Sequence, residues 1–217
     1  MTRIRLTGLI VVVAFCIAAL PANASDIVFN NFDVGHGYNC CIGGTISGPS
    51  SLPGWNIQAN QFTAAVSGSV SEIDIAIEYV TGAVNGATVS LWTDNGGLPG
   101  SMLGSWDIFN LPATGTCCNF SAITGISGIS VTAGQTYFLM ASAPGDTWDA
   151  WNWNSIGDTG LVDFSTDGGA TWNQAFGQTR YTFEIFANQA APEPGSLALL
   201  ATGLLALGAG IRRKLNP

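Results

Sequence analysis

Few residues in this chain could do covalent chemistry, and they do not assemble into a recognisable catalytic set. The one histidine, His36, stands in Val34-Gly35-His36-Gly37-Tyr38, a glycine-rich setting that reads as a loop. No serine occupies a G-x-S-x-G position, so a hydrolase triad lacks its nucleophile elbow. Between Ser25 and Ala190 there is no lysine, which removes Schiff-base and lysine–phosphate chemistry. Glycoside hydrolysis needs only two carboxylates at a fixed separation. Thirteen lie between Asp26 and Glu184, but no spacing selects a pair. A non-catalytic protein is therefore expected.

Residue patterns that could bind are richer. Trp148, Trp151 and Trp153 fall within Asp146-Thr-Trp-Asp-Ala-Trp-Asn-Trp-Asn154. In a strand, Trp151 and Trp153 share one face, and Asn152 and Asn154 the other. Exposed, the rings would stack on sugars while the amides took hydroxyls, giving a glycan-binding or glycan-active region over 146–172. Buried, they would fill a β-sheet core, the use that seven tryptophans in one small domain favour. Asp146, Asp149, Asp158 and Asp163 supply hard oxygen donors suited to calcium. They do not follow the D-x-[DN]-x-[DN]-G loop, so no metal site is assigned, and calcium is the one cofactor left open.

Two further motifs are structural. Ser165-Thr166-Asp167-Gly168-Gly169-Ala170-Thr171-Trp172 resembles the Asp-box, S-x-D-x-G-x-T-W, at every fixed position. Such boxes are hairpins in which the Asp satisfies turn amides, the glycines allow positive φ and the Trp packs beneath. One copy in a short chain implies a hairpin formed by Ser165, Asp167, Gly169, Thr171 and Trp172, not a propeller. Cys40, Cys41, Cys117 and Cys118 form two adjacent pairs. An even count in an exported chain reads as disulfides. Zinc is disfavoured, because paired ligands are normally two to four residues apart. A bridge between the pairs would close a loop of about 76 residues, worth roughly 4 kcal/mol; the sequence leaves the connectivity open.

The elements that must carry these residues have a period of two. Ile73, Ile75, Ile77 and Tyr79 alternate with Glu72, Asp74, Ala76 and Glu78, as in a half-buried strand. Tyr181, Phe183, Ile185 and Ala187 alternate with Arg180, Thr182 and Glu184 in the same way. Further strands are predicted over 27–32, 57–64, 88–92, 103–108, 129–131, 136–142, 148–153 and 161–165. Turn signals such as Asn95-Gly96-Gly97 and Pro144-Gly145 separate them. About ten short strands without a helical segment predict a single all-β domain, a jelly-roll-like β-sandwich over residues 25–190.

Charge narrows the partners. Thirteen carboxylates against Arg180 alone leave the 25–190 domain near −12. Such a surface has no cations with which to displace phosphate counterions, so nucleic acid is excluded.

The two ends predict the route. Arg3 and Arg5, the apolar run 6–20 and Ala22-Asn23-Ala24 form a signal peptide over 1–24, a helical segment implying the Sec translocon and signal peptidase. At the other end, 191–217 holds Pro192-Glu193-Pro194, an apolar run and the basic cluster Arg212, Arg213 and Lys214. Seventeen uncharged residues from Gly195 to Ile211 would give a helix of roughly 25 Å, the lower edge of a membrane span. The cations should stay cytoplasmic and act as the stop. This three-part tail resembles the PEP-CTERM sorting signal of Gram-negative bacteria. The resemblance implies processing near Pro192-Glu193-Pro194 by an exosortase-type membrane protease. It further implies transient inner-membrane anchoring, then a place at the cell surface or in an exopolysaccharide-rich extracellular matrix. Val89 to Leu103, a strand, a polar turn and Pro99-Gly100-x-x-Leu103, resembles the jelly-roll choice-of-anchor domains of bacterial surface proteins. That family brings no catalytic residues.

Overall fold

A computed structural model describes residues 25–189, together with Gly203. The expected signal-peptide helix, the Pro192-Glu193-Pro194 motif, the terminal membrane helix and the basic stop lie outside the described residues. Among the described residues, no helix is long and apolar enough to cross a membrane.

The domain is all-β, with fourteen strands in three sheets and every strand-to-strand ladder antiparallel. In chain order these are β1 (Ser25–Asn30), β2 (Asn39–Ser47), β3 (Ile57–Thr63), β4 (Gly68–Ile75), β5 (Ile77–Thr81), β6 (Gly86–Asp94) and β7 (Pro99–Phe109). They continue as β8 (Ser121–Thr124), β9 (Ser130–Val131), β10 (Thr136–Ser142), β11 (Trp148–Trp153), β12 (Thr159–Ser165), β13 (Asn173–Thr179) and β14 (Phe183–Asn188). One sheet runs β13-β12-β3-β10-β6-β7. A second runs β1-β14-β4-β8, with β9 also on β4, and a third runs β2-β11-β5. Their inward side chains form one core that includes Val28, Ile46, Phe62, Ile73, Leu91, Leu139, Trp151 and Phe183. This is the expected β-sandwich, cut into more pieces than the turn signals suggest.

The Ile73-to-Tyr79 alternation is one such cut. It forms two strands, β4 in the second sheet and β5 in the third, parted at Ala76. There the backbone changes partners: the Ala76 N–H donates to Thr182 O (3.2 Å), and Ala76 O accepts from the Asn152 N–H (2.9 Å). Side-chain alternation survives the cut, because Ile73, Ile75 and Ile77 all face the core with no exposure.

The opposite face differs from the half-buried expectation. Asp74, Glu78, Thr182 and Glu184 are all buried, although their period marks them as outward. The reason is a second, smaller cluster of Phe32, Tyr38 and Ala76, with Cys40 and Phe120 packed on it. The segments carrying Phe32, Tyr38 and Phe120 cover the outside of the sheet and enclose the polar row that alternation alone would leave in water.

Candidate functional site

That enclosed row holds the most unusual chemistry among the described residues. Asp74 on β4 lies directly opposite Glu184 on β14 in the pairing register, and Glu72 is two residues away on the same strand face. Like charges directly opposite across a sheet repel. Burial, then repulsion from Glu72 and Glu184, raises the Asp74 carboxyl to about 6, with the nearby His36 acting in the opposite direction. Burial likewise raises the Glu184 carboxyl, again against the pull of His36. Asp74 Oδ1 is buried and has no hydrogen-bond partner.

His36 reaches this pair from a tight turn. The Asp33 N–H donates to Gly37 O (2.8 Å), and the Gly37 N–H returns to Asp33 O (3.3 Å). Gly35 and His36 both take positive φ, 72° and 60°. The left-handed value is ordinary for glycine and uncommon for histidine. The imidazole sits beside Phe32 and Phe120, with centroids 5.4 and 4.7 Å away. Its Nε2 lies 3.6 Å from Glu184 Oε2. Asn31 pins the base of the loop, donating from Nδ2 to Tyr181 O (3.0 Å) and accepting at Oδ1 from the Phe183 N–H (2.9 Å). One ligand-capable atom from each of His36, Asp74 and Glu184 lies within 4.8 Å of the others. In sequence His36 reads as a plain loop residue, and no local motif links it to positions 74 and 184.

The tryptophan segment places its central ring in the core. Trp151 is fully buried, and its Nε1–H donates to Thr182 O (2.9 Å). Trp153 is half-buried against the core, and Trp148 is half-buried as well. Asn152 and Asn154 are buried too. Asn152 Nδ2 donates to Ala76 O (3.3 Å), while Asn154 Nδ2 donates to Arg180 O (2.7 Å) and Asp158 O (2.8 Å). Trp151, Asn152 and Asn154 are thus used inside the domain, where they hold strands together, while Trp148 and Trp153 are partly covered.

The calcium candidates do not converge. Asp158 pairs with Arg180 at 2.8 Å, and Asp146 Oδ1 accepts from the Ala83 N–H (3.0 Å). Asp149 and Asp163 are buried with both oxygens unpartnered. Burial raises each to about 7, with the Asp94 charge a further cause at Asp163. None of the four belongs to the His36 cluster.

Residues 166–172 form the turn between β12 and β13, and Ser165 is the last residue of β12. Asp167 Oδ1 accepts from the Thr171 N–H (2.9 Å) and from Ser165 Oγ (2.8 Å), and Oδ2 accepts from Thr171 Oγ1 (2.6 Å). The Gly169 N–H donates to Ser165 Oγ (2.8 Å). The two bonds from Thr171, then that from Ser165, hold the Asp167 carboxyl down at about 2. Trp172 is half-buried against the patch formed by Ala59, Phe138 and Leu161.

Of the four cysteines, Cys40 and Cys117 are bridged, with Cα atoms 5.3 Å apart at a sequence separation of 77. The expectation that all four are oxidised is corrected at Cys118, an exposed free thiol whose sulfur lies 3.2 Å from that of Cys117. The side chain of Cys41 lies outside the described residues. The Cys117 loop is also tied down by Glu78, whose Oε2 accepts from the Gly115 N–H (3.2 Å).

The fold defines an all-β sandwich module. Residues 190–214 match the model of the PEP-CTERM protein-sorting motif. The chain thus carries a PEP-CTERM sorting motif, which implies an exported protein anchored at its C-terminus and processed by an exosortase-type partner. A search of curated proteins found no match to the chain.

Proposed function

We propose that the 25–189 sandwich is a non-catalytic structural module, delivered to the cell surface or extracellular matrix of a Gram-negative bacterium. There it contributes to an exopolysaccharide-rich layer. The sorting motif at 190–214 carries this reading, because it fixes export and processing and leaves the sandwich as cargo. The interior of the cargo supports it: Trp151, Asn152 and Asn154, three of the groups suited to a sugar site, are buried within the domain. The domain's near −12 charge favours a hydrated, soluble surface protein over one bound directly to an acidic polymer.

Deleting the gene and analysing the extracellular matrix tests the reading. The protein should be found in the wild-type matrix, and the polysaccharide content of the deletion strain's matrix should change. Matrix of unaltered composition, with the protein retained in the cell membranes, would overturn it. Tryptophan fluorescence that shifts saturably with an oligosaccharide would instead favour a lectin.

A further inference from the structure

We infer that His36, Asp74 and Glu184 form a binding site for one divalent transition-metal ion of the zinc kind. The site is independent of the route by which the protein is exported.

Electrostatics comes first. Asp74 and Glu184 are 4% and 3% exposed, stand opposite each other and have Glu72 beside them. Buried carboxylates need a compensating charge or a proton. The only lysine or arginine between residues 25 and 189 is Arg180, already committed to Asp158 at 2.8 Å. A bound dication would supply the missing charge to Asp74 and Glu184 together. The unpartnered Asp74 Oδ1, withdrawn from water and facing no donor, is the lone pair such an ion would occupy.

Geometry comes second. In a tetrahedral zinc site with metal–ligand bonds near 2.0–2.1 Å, ligand atoms lie roughly 3.3 Å apart. His36 Nε2 and Glu184 Oε2 are already 3.6 Å apart, and the widest separation in the trio is at most 4.8 Å. The two carboxylates stand at directly paired positions of neighbouring strands, while the His36 side chain is 44% exposed. Small side-chain rotations, without movement of the sheet, would close the set. Three protein ligands leave a fourth position for water on the solvent side, the arrangement of an open zinc site.

Ligand chemistry selects the ion. Calcium takes six to eight oxygen donors, and this site offers a nitrogen and few oxygens. Imidazole with carboxylate suits zinc and its first-row neighbours. Ligation would also join the 31–38 loop to β4 and β14, so binding should stabilise the fold by mass action.

The test uses the full-length chain in detergent, stripped with chelator and titrated with Zn2+ by calorimetry and thermal melting. Wild type should bind one Zn2+ per chain, melt at higher temperature with zinc, and keep the ion in a large excess of Ca2+. His36→Asn preserves a residue tolerant of positive φ and should weaken binding at least tenfold. Glu184→Gln and Asp74→Asn should abolish the high-affinity event and raise the melting temperature of the metal-free protein, because a buried repulsion is removed. Should either carboxylate variant fail to fold, His36→Asn still decides. Equal zinc affinity in wild type and His36→Asn, or a wild-type melting temperature indifferent to zinc, would overturn the assignment.

Discussion

Trp151 stacks on Tyr181, with ring centroids 5.2 Å apart and planes inclined by 28°. Trp151 belongs to the three-stranded sheet, and Tyr181 lies two residues before the start of β14 in the five-stranded one. The Tyr181 hydroxyl donates to Gln58 Oε1 (3.0 Å) on β3 of the six-stranded sheet. One aromatic pair thus ties all three sheets together. Trp151→Ala should cost about 3–5 kcal/mol, as for a large buried ring. Trp148→Ala, at a half-buried ring, should cost less. Urea unfolding of both variants checks this, and equal midpoints would show that the seam is not where stability resides.

The β12–β13 turn should respond to acid. The Asp167 carboxyl is held at about 2, against 3.8 for the free group. A depressed folded value means stability that is present above pH 3.8 and lost as pH falls through about 2. Asp167→Ala should lower the melting temperature at neutral pH and flatten the acid limb of the stability curve. Trp172→Ala should cost an amount near the lower end of about 3–5 kcal/mol, since that ring is only partly covered. An Asp167→Ala protein that keeps the wild-type acid limb would contradict the turn's hydrogen-bond account.

Asp149 should act in the opposite sense. Its folded value is raised from 3.8 to about 7 by burial. Between those values the unfolded chain has released its proton while the folded chain keeps it, so stability falls as pH rises and levels off above about 7. Asp149→Asn should remove this slope and gain most at alkaline pH. A tenfold difference in proton affinity between the folded and unfolded chain corresponds to about 1.4 kcal/mol, enough to move a melting temperature by a few degrees. Melting curves across pH 4–8 (roughly the titration window) check it; parallel wild-type and variant curves would contradict it.

Opening the Cys40–Cys117 bridge should be costly. Cys117→Ser releases a loop of 77 positions, worth about 4 kcal/mol on the loop-entropy account. Cys118→Ser should leave the melting temperature nearly unchanged, and native alkylation should label Cys118. Wild-type stability in Cys117→Ser would show that the bridge does not constrain the fold.

Alternation made the sandwich legible: Ile73, Ile75 and Ile77 face the core as their period demands. The same period misplaces Asp74 and Glu184, because it reports which side of a sheet a residue takes and not whether something covers that side. The cover comes from Phe32, Tyr38 and Phe120, distant in sequence and brought together only by the fold. Strand β2 escapes sequence reasoning for a related reason. Its Gly43 and Gly44 dilute the apolar pattern, yet a Cβ at Gly44 would collide with the Tyr181 ring and one at Gly43 with the β11 backbone. Close strand packing demands residues that, read alone, signal a turn. His36 likewise lies far in sequence from the carboxylates it approaches, so its site becomes visible only when β4 and β14 are paired. The sorting motif, by contrast, is contiguous and can be read directly.

Export and C-terminal processing form the central claim, and whole-protein mass spectrometry of the surface-exposed form tests it most directly. The mass should correspond to a chain beginning at Ser25 and ending near Pro192-Glu193-Pro194. A surface form that still carries Leu197 to Pro217 would contradict the claim.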